Sequence, residues 1–274
     1  MTQPPEESFE PAGPAVSAEP DGLDDLPGFI PPDPDEPPPV ELSSAVGDVI
    51  PWGTLLLALS WGAVSFLLAA QHSIGDSAAL IAHGASITQH NVRDIAWRLL
   101  GSTFLHSGPS HLFFNSVTLL VMGQAVERIY SRWGFWITVA FGGAIASLAS
   151  LVWRMSRHPD LTGMSIGGSG VVFALGGVLL SGAFRLRERL APSRARALAA
   201  AVLFLALPGF AQGFQRHGTD NMAHAAGLAA GLALGALLPL NTRLGDRPAG
   251  IVVRFLGLAS VAALAAVFVR VLRG

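Results

Sequence analysis

Charge is scarce in this chain. Only 13% of its 274 residues are charged and 51% are hydrophobic, whereas a soluble globular domain carries about 25% charged residues. Twelve of the nineteen acidic residues lie in the first fifty positions, so the rest of the chain holds only seven. A chain this poor in charge cannot cover a water-exposed surface, and the composition therefore predicts a membrane protein.

Cysteine and lysine are missing altogether. Without cysteine the chain has no disulfide framework, no thiolate nucleophile and no thiolate metal site. All seventeen basic residues are arginine, which we attribute to genome composition. The net charge of −2 comes with no basic patch interleaved with aromatic residues, so we expect no nucleic-acid partner.

The first fifty residues form a segment of their own, rich in proline and acids and without a basic residue. Signal and transit peptides need basic residues, so this segment is neither. Its composition predicts a disordered tail over residues 1–50. A partner-docking role stays open, although we favour a spacer or solubilising arm.

Apolar stretches follow, each about long enough to cross a bilayer as a helix. They predict an all-α, polytopic helical membrane bundle with seven spans. The spans are placed near residues 52–70, 111–127, 135–153, 169–184, 196–212, 221–239 and 251–270.

Arginine placement predicts the orientation of the bundle. With the tail in the cytoplasm, ten of the seventeen arginines fall in cytoplasmic turns, most densely at 185–196. The N-terminus is then inside and the C-terminus outside. The connection at 71–105 is long for a helix–helix turn. We expect a partly folded loop in the outer interface, with Trp97 and Arg98 as an anchor.

Polar residues inside spans are costly and are functional candidates by default. The first candidates are His111 and Asn115, which lie one helical turn apart on one face. Both can donate hydrogen bonds at the outer end of the second span. Taken alone, the pair is as well explained by interhelical hydrogen bonding.

The second candidate is Ser169, at the start of the fourth span between Gly168 and Gly170 and after Gly167. Glycines allow close backbone approach, and a helix start offers free N–H groups and the positive end of the helix dipole. These features suit a nucleophile beside an oxyanion hole, although most serines in membrane helices only pack or bond backbone.

The third candidate is His224 in the sixth span, which shares a helix face with Gly227 and Gly231. Such a small-residue face lets a neighbouring helix pack closely. If that neighbour is the fourth span, whose face carries Ser169 and Phe173, the imidazole can reach the hydroxyl. In isolation this histidine is as well explained as a hydrogen-bonded core residue.

Together these residues are the components of acyl transfer: a nucleophile, a base and oxyanion donors at similar depth. Their order, His-x-x-x-Asn, Gly-x-Ser-Gly and Ala-His-x-x-Gly-x-x-x-Gly on separate spans, resembles the rhomboid family of intramembrane serine proteases. Trp97-Arg98 and Glu127-Arg128 also resemble that family's sequence around its second span. The resemblance covers about residues 95–240.

The resemblance implies a rhomboid-like six-helix core over 51–240 and an additional transmembrane helix in 241–274. It implies a Ser169–His224 dyad, with the Ser169 N–H, His111 and Asn115 as oxyanion donors and no cofactor or metal. Many family members have a tyrosine where this chain has Phe173, so the stacking ring lacks its hydroxyl.

The implied partners are the lipid bilayer and transmembrane substrates cut near their outer end. The implied location is the bacterial inner membrane, and the oligomeric state is open. Pro208-Gly209 is a candidate lateral gate, although we favour a packing kink there. The main alternative function is an inactive rhomboid-like factor that binds membrane proteins for trafficking. A transporter would require intramembrane acids and internal symmetry, and the sequence shows neither. A metal enzyme using His106, His111 and His224 would require a carboxylate ligand, which is missing.

Overall fold

A computed structural model of the chain describes residues 50–88, 92–157, 163–187, 196–197, 199–204, 220–241 and 249–274. Three predictions lie outside these residues: the acidic tail, most of the arginine-rich turn after residue 187, and Pro208-Gly209. Of the predicted fifth span, residues 196–197 and 199–204 are helical and the rest is not described.

The described residues form a bundle of α-helices, which confirms the predicted all-α membrane fold. Two strands of two residues each, β1 and β2, pair antiparallel with Ser86 opposite Ser165. In chain order the elements are α1 (Trp52–Ala70), α2 (Ser77–Ala82), β1 (Ser86–Ile87), α3 (Val92–Gly101), α4 (Pro109–Ile137), α5 (Gly143–Arg157), β2 (Met164–Ser165), α6 (Ser169–Arg185), α7 (Asn221–Leu237) and α8 (Ile251–Arg273).

Length and composition identify the membrane-crossing helices. Within the part of the chain that the structure describes, three helical stretches are long and apolar enough to cross a bilayer: Trp52–Ala70, Pro109–Arg157 and Ile251–Arg273. The helices α6 and α7 are apolar but shorter. The chain is therefore an integral membrane protein whose two short helices pack among longer ones.

The predicted second and third spans are joined by a single residue rather than by a loop. Ser131 has φ 72° and ψ 166° inside α4, and the helix then continues through a π-helical turn, Thr138–Gly142, into α5. A Cβ at Gly123 would lie 3.1 Å from the Phe135 ring, although twelve residues of straight helix span about 18 Å. The chain therefore folds back at Ser131, giving two antiparallel spans.

Glu127 joins the start of α1 to this reversal. Its carboxylate accepts hydrogen bonds from the Gly53 N–H at 3.1 Å, the Thr54 N–H at 2.7 Å and the Thr54 hydroxyl at 2.7 Å. The two N–H donors are unsatisfied amides of a helix N-terminus, where the helix dipole also favours an anion. A carboxylate that is only 3% exposed is stabilised in this way.

Polar contacts show which helix ends lie on the same side of the bundle. At the end where α6 finishes, Arg185 donates to the carbonyls of Gly235 at 3.0 Å and Leu238 at 2.6 Å. At the end where α6 begins, the α8 C-terminus meets the 71–105 connection, and His83 Nδ1 lies 2.5 Å from the Val271 carbonyl. The end of α8 and the 71–105 connection therefore share one side of the bundle.

The 71–105 connection is folded, as predicted, and contains α2, β1 and α3. The prediction that Arg98 is an interfacial anchor is wrong. Its guanidinium is 9% exposed and donates to the carbonyls of Ile81 at 2.5 Å and Ala85 at 3.1 Å. The end of α2 leaves backbone carbonyls without helical partners, and Arg98 satisfies them from inside the fold.

The α6 helix is buried on most of its faces and packs against α7 backbone to backbone. A Cβ at Gly177 would lie 2.2 Å from the Leu228 carbonyl oxygen, and one at Gly231 would lie 2.0 Å from that of Ala174. Only glycine permits this separation, as in other membrane helix pairs with small residues at the interface. The predicted pairing of the fourth and sixth spans is confirmed.

Candidate active site

Ser169 and His224 meet at the starts of α6 and α7. Ser169 is the first residue of α6, and His224 lies in the first turn of α7. The His224 Nε2 atom is 2.9 Å from the Ser169 hydroxyl oxygen, which is within hydrogen-bond distance. The imidazole is only 3% exposed, so this contact is largely shielded from bulk water.

The phenyl ring of Phe173, one turn after Ser169, fixes the plane of the His224 imidazole. The two rings are stacked, with centroids 4.2 Å apart and an interplanar angle of 16°. Ser169 and Phe173 lie on the same face of α6, so one helix face presents both the hydroxyl and the supporting ring.

Two glycines shape the segment that leads into Ser169. Gly167 has φ +124°, which disfavours any other residue, and a Cβ there would lie 2.8 Å from the His111 ring. A Cβ at Gly168 would lie 2.2 Å from the Trp61 ring. The Gly167 N–H donates to the Ser102 carbonyl at 2.9 Å. The backbone before Ser169 is therefore held between α1, α4 and the 71–105 connection.

Two further glycines predicted for the site allow neighbouring helices to approach α6. A Cβ at Gly227 would lie 2.4 Å from the Gly170 carbonyl oxygen, and one at Gly170 would lie 2.8 Å from the Ala146 Cβ of α5. Because Gly227 lacks a side chain, α7 approaches α6 one turn below His224. This approach brings the imidazole to Ser169.

His111 and Asn115 line the opposite wall. A Cβ at Gly167 would lie 2.9 Å from His111 Nε2 and 3.8 Å from Asn115 Nδ2. The Ser107 N–H donates to His111 Nδ1 at 3.4 Å, so in the neutral ring the proton belongs on Nε2. Asn115 Nδ2 is buried and has no hydrogen-bond partner among the described residues. Both donors therefore face the segment that precedes Ser169.

His106 supports this wall from the loop before α4. Its ring packs between Trp61, with centroids 5.2 Å apart, and His111, with centroids 5.1 Å apart. Burial lowers the pKa of His106 to about 3, so the ring is neutral near pH 7. A neutral ring adds no positive charge beside His111.

Sequence reasoning missed several residues around the site. Trp61 underlies Gly168, Ser107 orients His111, and Asp220 caps α7 by accepting from the Ala223 N–H at 3.0 Å. Asp220 carried a readable signal, because an aspartate just before an apolar helix is a typical N-cap. Trp61 carried none, because a tryptophan in an apolar span looks like any lipid-facing or core residue.

The arrangement brings together all the predicted site residues. It offers a hydroxyl, an adjacent imidazole, and two side-chain donors beside the amides of a helix N-terminus. Among the described residues, no group of three or more His, Asp or Glu could hold a metal ion. The geometry is that of a serine–histidine site built inside a polytopic helical membrane protein.

Comparison with known proteins agrees with this class. The model of the Rhomboid domain family matches residues 93–241, which is more than half of the chain and includes every residue of the site. The chain therefore belongs to the rhomboid family, as its motifs predicted.

Several curated proteins are similar in sequence. Rhomboid protease GluP of Bacillus subtilis (strain 168) is 31% identical over 175 residues, covering 64% of this chain and 32% of that protein. RHOMBOID-like protein 4 of Arabidopsis thaliana is 34% identical over 162 residues, 56% of this chain and 36% of that protein. Rhomboid protease AarA of Providencia stuartii is 33% identical over 104 residues, 38% of this chain and 36% of that protein. The matches span about a third of the length of each of these relatives.

Proposed function

We propose that this protein is an intramembrane serine endopeptidase that cleaves transmembrane segments of other membrane proteins. One observation carries the proposal: the Ser169 hydroxyl oxygen lies 2.9 Å from His224 Nε2 in a chain of the rhomboid family. Two of the relatives above are named as rhomboid proteases, which supports the same chemistry here.

In the proposed reaction, Ser169 Oγ attacks the scissile carbonyl carbon while His224 Nε2 takes the hydroxyl proton. The tetrahedral intermediate collapses as the imidazolium returns that proton to the leaving amine, and an acyl ester on Ser169 remains. Water then attacks the ester with His224 again as the base, which releases the new carboxylate and restores the serine.

The intermediate carries a negative oxygen that needs hydrogen-bond donors. We assign this role to the Ser169 N–H, the Nε2–H of His111 and the Nδ2 amide of Asn115. The Ser107 contact to His111 Nδ1 supports a proton on Nε2, and the buried Asn115 amide lacks a described partner. Losing one such donor typically lowers kcat by about 10²–10³.

The base works as part of a dyad. The Asp220 carboxylate is directed to the Ala223 N–H, Ser150 and Ser165 rather than serving as the third member of a triad. Stacking on Phe173 orients the imidazole instead. In this respect the site differs from a Ser-His-Asp triad, in which the carboxylate accepts a hydrogen bond from the imidazole.

The substrate must expose a carbonyl that a helix normally hides in its own hydrogen bonds. We therefore expect substrates with glycine or proline near the cut, where a helix unwinds most readily. We place the cut near the outer face and the N-terminal tail in the cytoplasm of a bacterial inner membrane, following the arginine distribution. Pro208-Gly209 stays a candidate gate.

The nucleophile is tested in proteoliposomes with a reporter that has one transmembrane helix. Ser169→Ala should abolish cleavage, and a fluorophosphonate probe should label the wild type but neither Ser169→Ala nor His224→Ala. Ser181→Ala is the matched control, because Ser181 lies on the same helix three turns away, and it should keep both activities. Full cleavage by Ser169→Ala would refute the assignment.

The same experiment separates the main alternative, an inactive binding factor of the same fold. Such a protein would capture the reporter helix equally well with Ser169 or alanine at that position, and the probe would label neither form. Labelling that depends on both Ser169 and His224 excludes this alternative.

A further inference from the structure

The separation of Ser169 and His224 also depends on the two chain segments that precede these residues. The segment before Ser169 contains the strand β2, and the segment before His224 contains the residue that precedes α7. Misplacing a catalytic group by about 1 Å can cost about 10²-fold in rate. Whatever joins these two segments therefore controls the reaction.

One carboxylate joins them. Asp220 accepts from the Ala223 N–H through Oδ1 at 3.0 Å, which caps the helix that carries His224. Through Oδ2 it accepts from the Ser165 hydroxyl at 2.7 Å, four residues before Ser169, and from the Ser150 hydroxyl of α5. The two oxygens thus have separate tasks: one caps α7, and the other holds α5 and β2.

An arginine of α5 also contacts the segment that contains β2. Arg154 donates through Nε to the Ser150 hydroxyl at 3.2 Å and through Nη1 to the carbonyls of Gly163 and of Ser86, the latter at 3.1 Å. Its Nη2 donates to the Ser86 hydroxyl at 3.1 Å. Ser86 is paired with Ser165 across the β1–β2 ladder, so the arginine contacts close a loop of hydrogen bonds.

The Ser150 hydroxyl lies between the two charged groups, accepting from Arg154 and donating to Asp220. Hydrogen bonds to charged groups are stronger than neutral ones, and Ser150 itself is fully buried. The set formed by Ser86, Ser150, Arg154, Ser165 and Asp220, called here the Asp220 cluster, is therefore a rigid connection and not a chance surface contact.

We propose that Asp220 and its cluster are positioning residues that hold the α6 and α7 N-termini at the separation proton transfer requires. The inference rests on the proposed function for its effect on catalysis. It adds a determinant outside the Ser169–His224 pair and the oxyanion donors. No member of the cluster touches the reacting atoms in this proposal.

The decisive variant is Asp220→Ser. Serine is a good N-cap, so it keeps the bond to the Ala223 N–H, but it has no second oxygen for Ser150 and Ser165. We expect kcat to fall about tenfold or more, with KM within about twofold because substrate docking is unchanged. Fluorophosphonate labelling of Ser169 should slow by the same factor. Asp220→Asn keeps a hydrogen-bonding atom at both positions and should recover most of the rate.

A second variant approaches the contact from the other side. Ser165→Ala removes one partner of Asp220 with a smaller change, and it decides the question if Asp220→Ser does not fold. Because the two residues share one bond, the double variant should lose less than the product of the single losses. Ser156→Ala, an exposed serine on α5, is the matched control and should behave as wild type.

Hydrogen exchange separates failure of this inference from failure of the proposed function. The amides of 164–168 and 220–224 should exchange faster in both variants even in a protein that cleaves nothing. The inference would be overturned if Asp220→Ser and Ser165→Ala are labelled at the wild-type rate and keep the wild-type kcat, with only a lower melting temperature. The Ser169 nucleophile assignment would then stay intact. If the fluorophosphonate probe does not label the wild type while both variants still exchange faster than the wild type, the nucleophile assignment is overturned instead.

Discussion

The α6–α7 interface and the α8 helix are built on opposite principles. Between α6 and α7 the backbones touch, and at Gly231 even one methyl group would lie 2.0 Å from a carbonyl oxygen. The α8 helix instead presents large side chains outward, with Ile251 84% and Phe255 69% exposed. It also carries a glycine at a contact with α4, because a Cβ at Gly257 would lie 2.8 Å from the Trp133 ring.

The difference reflects what each helix must determine. Lipid is as apolar as leucine, so a hydrophobic face alone gives a membrane helix no preferred partner. Close backbone contact does give one, and it fixes the distance between side chains to a fraction of an ångström. Ser169 and His224 lie on the tightly packed pair, whereas α8 contributes no residue to the candidate site.

The largest expected effect comes from filling the tight interface. Gly231→Ala places a methyl group against the Ala174 carbonyl, and because backbone cannot rotate away, we expect a loss of more than about 3 kcal/mol in the free energy of unfolding. Denaturant unfolding in detergent micelles measures it. Gly62→Ala on α1 is the control, since nothing lies within 4 Å of its Cβ position, and an equal loss there would contradict the comparison.

The next effect is on catalysis as well as on stability. Gly227→Ala sets a methyl group 2.4 Å from the Gly170 carbonyl oxygen, one turn below His224, and should displace the imidazole from Ser169. We expect kcat to fall about 10²-fold. Reporter cleavage in proteoliposomes measures this, and Gly257→Ala on α8 should cost far less activity. Comparable losses of activity in the two variants would refute the distinction.

A third effect concerns the buried wall of the site and depends on pH. The folded chain keeps His106 neutral down to a pKa of about 3, whereas in the unfolded chain the group takes a proton near pH 6.5. Stability is therefore lost as pH falls below 6.5, by about 2 kcal/mol between pH 7 and pH 5. His106→Gln should remove that part of the acid dependence in unfolding curves, and an unchanged slope would contradict it.

The smallest effect is expected at the C-terminal end of α8. Arg270 and Asp94 form an ion pair at 3.7 Å with 56% and 40% of their side chains exposed, and Arg270 also lies 4.2 Å from the Trp97 ring centroid. Exposed pairs contribute about 0–1 kcal/mol. Arg270→Gln should therefore change the melting temperature little and leave cleavage intact. A loss as large as that of Gly231→Ala would show that α8 is part of the core.

Much of the bundle could be read from local pattern. The bounds of α1 and the beginnings of α6 and α7 follow from where apolar runs start, because water and lipid sort side chains by polarity. The reversal of the chain at Ser131 could not be predicted from the sequence, because nothing in the composition indicates that a serine has a positive φ. The inward turn of Arg98 could not be read either, because its carbonyl partners become available only when α2 ends nearby.

The sequence by itself determined the membrane class and the family, and it predicted the residues of the candidate site. Charge scarcity, helical length and motif spacing are local properties, and they need no coordinates to be recognised. Only the tertiary structure decided that Ser169 and His224 lie 2.9 Å apart and that Asp220 connects the segments before them. Those distances depend on helices far apart in the chain coming into contact, and contact between backbones is a property of the packed bundle.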